Sequence, residues 1–438
     1  MTLTHPSQRA SWPLWQKIAF RFFFIYLLLN ITPLVWLYEL PIFKTIAIYY
    51  KKTDSWIVEL CNRLFFHYPQ TTIVNNGSGD TSVAWEQMYT YLLLAVSGAL
   101  VWSVIDRKRR SYSRANYWLR TFVRYFIILN CFIYGINKLY ALQMPFPNQS
   151  QLATPLGDFL PMRFSWLFIG YSNTYEMFSG AMEVLAGLLL LNRRTVTLGL
   201  FTATAVFINV MILNLCYDIP VKLYSIHIVV CCLYLLTNDC KRLIDFFVLN
   251  KAVVANHIHE NHLPKKWMRI TRIVLKLAFI GVFFINSFFK LNDTYQARKL
   301  QNSTETKPIR SGIYDVISYA VNKDTIAPLV TDTIRWRDVI IEKGDFGSVG
   351  STDTAFRQRY RRGYFNITVD SATQTLAFRK SAAAKATITN FHYSFPDSNT
   401  VKLWGSKGKD SLYVLLRRSN RHFQLTEKQF HWISEANR

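Results

Sequence analysis

The chain has 438 residues, half of them hydrophobic, and its 51 Lys and Arg outnumber its 27 Asp and Glu, giving a formal charge of +24. Much of this charge stands in short connections beside long apolar runs, where attraction to anionic lipid explains it, so the composition argues against nucleic-acid binding. The six cysteines contain no C-x-x-C pair, which excludes the usual spacing of a structural zinc site.

Long apolar runs dominate residues 1–292. A helix needs about 20 mostly apolar residues to cross a bilayer, and seven stretches meet that requirement. The sequence therefore predicts a membrane all-α helical bundle with about seven transmembrane helices. After the first span, the stretch Ile42–Tyr68 mixes aromatic and basic residues at helical spacing, which is typical of an amphipathic helix at a membrane face. The predicted spans are Ile18–Tyr38, Trp85–Ile105, Leu119–Leu142, Tyr175–Leu191, Thr195–Tyr217, Val221–Thr237 and Ile270–Leu291.

Basic residues between the predicted spans indicate how the chain is oriented. A cluster from Arg107 to Arg114 joins the second and third spans, and Arg193 with Arg194 joins the fourth and fifth. These connections share one side if the spans alternate, and Lys and Arg are enriched in cytoplasmic loops. We therefore expect a multi-pass protein of a bacterial inner (plasma) membrane, with the lipid bilayer as partner, a cytoplasmic N-terminus and a periplasmic C-terminal domain.

The pattern changes after Asn292. Short β-branched or aromatic runs alternate with turn sequences such as Pro396-Asp397-Ser398-Asn399. This rhythm predicts a soluble antiparallel β domain in residues 293–438, either a small barrel or a sandwich. The predicted strands include Tyr364–Asp370, Thr375–Arg379, Ala386–Phe395, Val401–Trp404 and Leu412–Arg417.

Ionisable side chains inside the predicted spans are candidate functional residues, because a charge in the bilayer is costly. Lys138 and Glu176 lie at similar depth near the outer ends of adjacent spans, which predicts an ion pair between them. Glu183 lies about two turns deeper than Glu176 on the same helical face. We expect one cavity, open to the outside, to be lined by Lys138, Glu176, Glu183, Asn214 and His227. Alternatively, these side chains only form interhelical hydrogen bonds and ion pairs that hold the bundle together.

Several short motifs fall between Arg124 and about Leu236. They are Arg124 itself, Gly135 with Lys138-Leu139, the run Glu183-Val-Leu-Ala-Gly187-Leu-Leu-Leu, and Arg194 with Leu198-Gly199. In these residues the chain resembles the DoxX-like membrane proteins. The resemblance implies a four-helix membrane unit at about residues 117–237, with Arg124, Lys138 and Glu183 as its polar core. Some members of that group are subunits of quinone-linked oxidoreductases, which implies a quinone as ligand and a redox partner protein.

Three functions are compatible with these features. In the first, the cavity binds a lipophilic molecule such as a quinone in support of redox chemistry. Glu183 and Glu176 would manage protons, Lys138 and Arg124 would hold the carboxylates, and His227 and Asn214 would offer hydrogen bonds. In the second, the chain is a non-enzymatic scaffold that presents the β domain to a protein or envelope partner. The third is a transporter, for which paired broken helices would be expected.

The first two functions predict different structures. Redox chemistry requires the candidate side chains to converge on an apolar pocket. A scaffold instead predicts that the charges inside the membrane are paired and that an aromatic patch is exposed on residues 310–438. Aromatic residues in alternating strands more often belong to the core, and that is the expectation for Tyr314, Trp336, Phe391, Tyr393, Trp404 and Trp432.

Overall fold

A computed structural model of the chain describes residues 11–32, 36, 41–69, 77–254, 265–303, 308–329, 334–384, 386–427, 430–433 and 435. They belong to two compact units, one within Met1–Gln143 and Thr174–Lys290, the other within Met144–Asn173 and Leu291–Arg438. The helices are α1 (Leu14–Ile31), α2 (Pro41–Cys61), α3 (Ser82–Ile105), α4 (Ser113–Leu139), α5 (Gln149–Leu152), α6 (Pro161–Tyr171), α7 (Asn173–Leu191), α8 (Val196–Cys216), α9 (Lys222–Leu236), α10 (Cys240–Phe247), α11 (Lys266–Ile280), α12 (Asn286–Ser303) and α13 (Gln424–Glu427).

Membrane-type helices make up most of the first unit. Within the described residues, six helical stretches are long and apolar enough to cross a bilayer, namely α1, α3, α4, α7, α8 and the continuous rod of α11 and α12. The short helix α9 meets the same criterion only together with α10, from which it is bent by 76°. The prediction of a chain rich in potential membrane spans is confirmed.

Two predicted spans have different ends in the structure. The first helix stops at Ile31, where Thr32 turns into the left-handed region with φ 44°. The cause is local, because Pro33 disfavours helical geometry in the residue before it. The last helix continues past Leu291 as far as Ser303, since a π-helical turn at Gly281–Ile285 joins α11 to α12 without a break.

The connection between α1 and α3 contains the predicted surface helix. Helix α2 covers Pro41–Cys61, and a π-helical turn extends it to Phe66. Its Asp54 accepts hydrogen bonds from the Tyr91 hydroxyl and the Gln87 amide of α3, both at 2.6 Å. Several large apolar side chains of α2, such as Trp56, remain exposed, and the placement of this helix at a membrane face stays a prediction.

Helices α4 and α7 approach each other through a pair of glycines. A Cβ atom added to Gly180 would lie 2.6 Å from the Gly135 carbonyl oxygen, and one added to Gly135 would lie 3.0 Å from the Gly180 oxygen. Small residues permit this kind of backbone contact between membrane helices. The crossing point therefore fixes which side chains of α4 and α7 meet.

The second unit contains a closed antiparallel β-barrel. Eight strands form a ring in the order β1–β3–β4–β6–β7–β8–β9–β10, because β10 pairs with β1. A barrel of eight strands leaves an interior that side chains can fill. Buried aromatic side chains fill it here, namely those of Trp336, Phe356, Phe365, Phe378 and Phe391. The strands are β1 (Gly312–Val321), β2 (Asp324–Thr325), β3 (Asp338–Glu342), β4 (Phe346–Val349), β5 (Arg357–Arg359), β6 (Arg362–Asp370), β7 (Thr375–Arg379), β8 (Thr387–Asp397), β9 (Thr400–Lys407) and β10 (Asp410–Arg418).

The segment between α4 and α7 belongs to the barrel unit. Ser150 of α5 donates hydrogen bonds from both its amide and its hydroxyl to Glu342 of β3, each at 2.7 Å. The Ser348 hydroxyl donates to Ser150 at 2.8 Å and accepts from Arg362 at 3.1 Å. Residues Met144–Asn173 were expected within the membrane domain 1–292, so the compact units differ here from the predicted division.

Candidate functional site

Lys138 and Glu183 form a buried ion pair between α4 and α7. The Lys138 ammonium donates a short hydrogen bond to Oε1 of Glu183, and both residues are almost fully buried, at 5% and 1% exposure. Oε2 of Glu183 has no hydrogen-bond partner among the described residues. The pair lies beside the crossing of Gly135 and Gly180, which brings the two backbones close enough for the contact.

Glu176 is not the ion-pair partner that was predicted for Lys138. Its Oε1 accepts a hydrogen bond from the Gln143 amide at 3.2 Å, and the residue is fully buried. Helix α4 ends at Leu139, and the chain turns at Ala141, whose φ is 48°. The turn brings the Gln143 amide to Glu176, while the glycine crossing places Lys138 level with Glu183.

The other candidate residues lie in different surroundings. Arg124 is about 21 Å along α4 from Lys138, and its guanidinium lies 5.5 Å from the Tyr125 ring centre. Among the described residues it pairs with no carboxylate. The His227 ring of α9 contacts Tyr26 and Phe126 at centroid distances of 5.7 and 6.0 Å. Lys138 and Glu183 are therefore brought together, and Arg124 and His227 have other neighbours.

Asn214 is buried near the C-terminal end of α8. Its backbone carbonyl accepts a hydrogen bond from the Ile219 amide at 3.0 Å, in the turn that leads to α9. No described contact joins its side chain to Lys138, Glu183 or His227, so its predicted role in a shared cavity stays a prediction.

A pocket of about 490 Å³ lies elsewhere in the helical unit, among α1, the start of α4 and the end of α9. The Tyr234 hydroxyl donates to the Asn116 side chain there at 3.2 Å. Aromatic rings and neutral amides suit a flat apolar ring with hydrogen-bonding oxygens. The sequence does not mark this pocket, because aromatic and amide residues at helix ends resemble ordinary interface anchors. The lining residues are Trp12, Trp15, Gln16, Ala19, Phe20, Phe23, Asn116, Val230, Leu233, Tyr234, Thr237 and Asn238, none of them a predicted site residue.

Arg21, an ionisable residue of the first predicted span outside the predicted site, forms a second buried polar centre. Its guanidinium donates to the Tyr112 hydroxyl at 2.8 and 3.0 Å, to Ser103 at 2.8 Å and to the Asp106 carbonyl at 3.0 Å. Tyr112 in turn donates to the Asp106 carboxylate at 2.9 Å. These bonds tie α1 to the connection between α3 and α4, which is a structural role.

The barrel carries exposed aromatic residues on one outer face. Of the six aromatic residues expected in the core, Trp404 and Trp432 are instead exposed, at 38% and 92%, and the other four are buried. Trp404 of β9 stands opposite His392 and Tyr413 on the neighbouring strands. The Lys402 ammonium lies 5.4 Å from both the Trp404 and Tyr413 ring centres. We call these four residues, His392, Lys402, Trp404 and Tyr413, the outer aromatic row.

These features define the class of the protein, a chain of membrane-type helices joined to a closed antiparallel β-barrel. The chain is 34% identical over 125 residues to "Uncharacterized protein YwoB" of Bacillus subtilis (strain 168), which covers 28% of this chain and 79% of that relative. It therefore belongs to the same family as YwoB. No family model matches the chain, and no solved structure matches it.

Proposed function

We propose that the chain is a multi-pass protein of a bacterial plasma membrane that holds its β-barrel on the outer surface and presents it to a polymer of the cell envelope. The observation that carries this proposal is the buried contact of the barrel with Met144–Asn173, the segment between α4 and α7. Because of this contact, the barrel unit contains two separate stretches of the chain, one between α4 and α7 and one that follows the last membrane-type helix. Both stretches continue into membrane-type helices, which suits a domain that is presented from a membrane.

A second set of contacts joins the same segment to the barrel. The turn between β5 and β6 places Tyr360 and Arg361 in the left-handed region, with φ 51° and 54°. Tyr360 accepts a hydrogen bond from Arg163 at 2.7 Å, and Arg361 pairs with Asp158 at 3.2 Å. Left-handed geometry is unfavourable for side chains other than Gly and Asn, so these contacts offset the strain of the turn. The attachment is therefore specific at both ends of the segment.

The ion pair inside the helices also favours a scaffold. Paired charges were the expectation for a bundle that only anchors another domain, and Lys138 is paired with Glu183. The predicted cavity residues do not line the pocket among α1, α4 and α9. Lys138 and Glu183 thus compensate each other's charge without a ligand.

The outer aromatic row indicates the chemistry of the envelope partner. Aromatic rings offer apolar surface to the C–H faces of sugar rings, and a lysine ammonium attracts carboxylate or phosphate groups. In the described residues Lys402 contacts rings and has no carboxylate partner. The partner proposed is therefore an anionic glycan of the cell wall.

Co-sedimentation with insoluble cell-wall polymer tests this proposal. The purified full chain is mixed with the polymer, and Trp404→Ala is expected to weaken binding about tenfold, the cost of losing a central aromatic contact. Lys402→Ala is expected to weaken it less and to reduce its salt dependence. Ile317→Ala, which removes another exposed apolar side chain of the barrel, is the matched control. If the wild-type chain does not sediment, or if the control loses as much, the envelope partner is wrong.

A quinone-type ligand is the second candidate function, and the pocket among α1, α4 and α9 favours it. Its amides and rings match a flat ring with carbonyl oxygens, and the resemblance to DoxX-like proteins points to the same ligand class. Ala19→Trp would fill the pocket, whereas Glu183→Gln would change only the ion pair. Quinone binding that is lost in the first variant and kept in the second supports the pocket. Loss of quinone binding in Glu183→Gln alone would instead favour the cavity predicted around Lys138 and Glu183. No quinone binding by the wild-type chain would exclude this function.

A further inference from the structure

The seam between α4 and α11 contains a cluster of cations. Tyr125 of α4 and Phe279 of α11 pack edge to face with ring centres 4.9 Å apart, which brings the helices together. Beside this contact lie Arg124 of α4 and Lys276 of α11. We call Arg124, Arg272 and Lys276 the seam cations, because Arg272 lies one helical turn before Lys276 on the same face of α11.

None of the seam cations has an acidic partner among the described residues. Lys276 donates to the carbonyl of Leu191 at 2.9 Å, at the C-terminus of α7. That helix end has partial negative charge, which compensates a cation only in part. The Nε atom of Arg124 is buried and has no hydrogen-bond partner. Like charges that share an apolar region repel each other unless an anion lies between them.

We propose that the seam cations bind the phosphate headgroup of an anionic membrane lipid. The inference rests on the membrane insertion proposed above, which places the Leu191 end of α7 at the cytoplasmic surface. Anionic lipids are enriched in that leaflet, and basic pockets between helices bind their headgroups. The exposed apolar side chains of α11, including Ile273 and Leu277, offer the surface for the acyl chains.

Lipid retention by the purified chain tests the proposal. The detergent-solubilised protein is incubated with mixed micelles of phosphatidylglycerol and phosphatidylcholine, and bound lipid is counted by native mass spectrometry. Wild type is expected to retain phosphatidylglycerol selectively. Arg124→Gln and Lys276→Gln are each expected to lower its affinity about fivefold, the usual effect of one cation near an anionic lipid.

Matched variants separate a seam site from general attraction to positive charge. Arg107→Gln with Lys108→Gln removes two cations from the connection after α3 and is expected to leave retention unchanged. Arg124→Lys with Lys276→Arg preserves charge and is expected to retain lipid, which guards against simple misfolding. An equal loss of phosphatidylglycerol in the Arg107/Lys108 variant would overturn the seam site. Full retention of the lipid by Arg124→Gln and Lys276→Gln would overturn it too. So would release of the lipid by inorganic phosphate at equal concentration, since the ligand would then be soluble phosphate.

Failure of the lipid site can be told apart from failure of the proposed membrane insertion. Reconstitution into vesicles of phosphatidylcholine alone needs no anionic headgroup, and flotation of the protein with those vesicles reports insertion. A protein that floats but does not retain phosphatidylglycerol contradicts only the lipid site. One that does not float contradicts the membrane proposal as well.

Discussion

Lys138 and Glu183 meet beside the glycine crossing of α4 and α7, and this location determines how the ion pair affects helix packing and stability. The glycine crossing removes side chains that would otherwise separate the helices, so the two charges are enclosed by backbone and apolar groups. Burying either charge alone is costly, while a pair recovers much of the loss through attraction and hydrogen bonding. The pair therefore contributes specificity to the packing of α4 against α7 more than net stability.

A double-mutant cycle on this pair tests that role. Lys138→Met is expected to destabilise the chain by about 3 kcal/mol, because it leaves a buried carboxylate without its partner. Glu183→Gln alone leaves a buried ammonium and is expected to cost a similar amount. The combined variant is expected to lose less than the sum, by about 0.5–3 kcal/mol of coupling. Unfolding in detergent with increasing denaturant measures each value, and strictly additive losses would show that the pair is not coupled.

Helix α9 shows how an element can depend on a residue far away in the chain. Its first amides, those of Lys222 and Leu223, donate to the Asp80 carboxylate at 2.8 and 3.0 Å. Next to it, the Gly79 amide donates to the Pro220 carbonyl at 2.7 Å. A carboxylate at a helix N-terminus satisfies free amides and complements the helix dipole. Asp80 thus fixes the start of a helix that is only 15 residues long.

Replacing Asp80 tests this capping contact. Asp80→Ala is expected to lower stability by about 1–2 kcal/mol, whereas Asp80→Asn should retain most of it, because asparagine also caps helices. Asp218→Asn is the matched control, since Asp218 also pairs with Lys222 but is 79% exposed, and asparagine tolerates the left-handed backbone there, with φ 50°. Exposed ion pairs contribute about 0–1 kcal/mol. Thermal unfolding in detergent compares the three variants, and an equal loss at Asp218 would contradict the capping role.

The elements themselves were predictable where the signal is local. Apolar runs located the membrane-type helices, and alternation located strands such as Thr375–Arg379, whose bounds match β7. The partner of Lys138 was not predictable, because it depends on the crossing of two glycines from different helices. Closure of the barrel by β1 and β10 and the contact of Ser150 with Glu342 also join distant residues. Periodicity within a segment holds no information about such contacts.

For the proposed membrane insertion, the contact of Met144–Asn173 with the barrel predicts the number of crossings. Two parts of the chain that touch each other outside a bilayer lie on the same side of it, so an even number of spans must separate them. Helices α7, α8 and the rod of α11 and α12 supply three. The short helix α9 is then the fourth, which gives the proposed topology seven spans although α9 alone is shorter than a typical span.

Labelling of single cysteines on either side of α9 tests this topology. In a background with Cys216 and Cys240 replaced by serine, cysteine is introduced at Asp218 or at Lys241, both exposed. If α9 crosses the membrane, a membrane-impermeant maleimide labels the Asp218 site in intact spheroplasts and the Lys241 site only after permeabilisation. Ser398→Cys, in the turn between β8 and β9, should react like the Asp218 site, because the proposed topology places both outside. Labelling of the Lys241 site in intact spheroplasts would mean that α9 does not cross the membrane. Three spans would then separate the Met144–Asn173 segment from the barrel and place them on opposite sides. Because the two are in contact, this result would contradict the proposed topology.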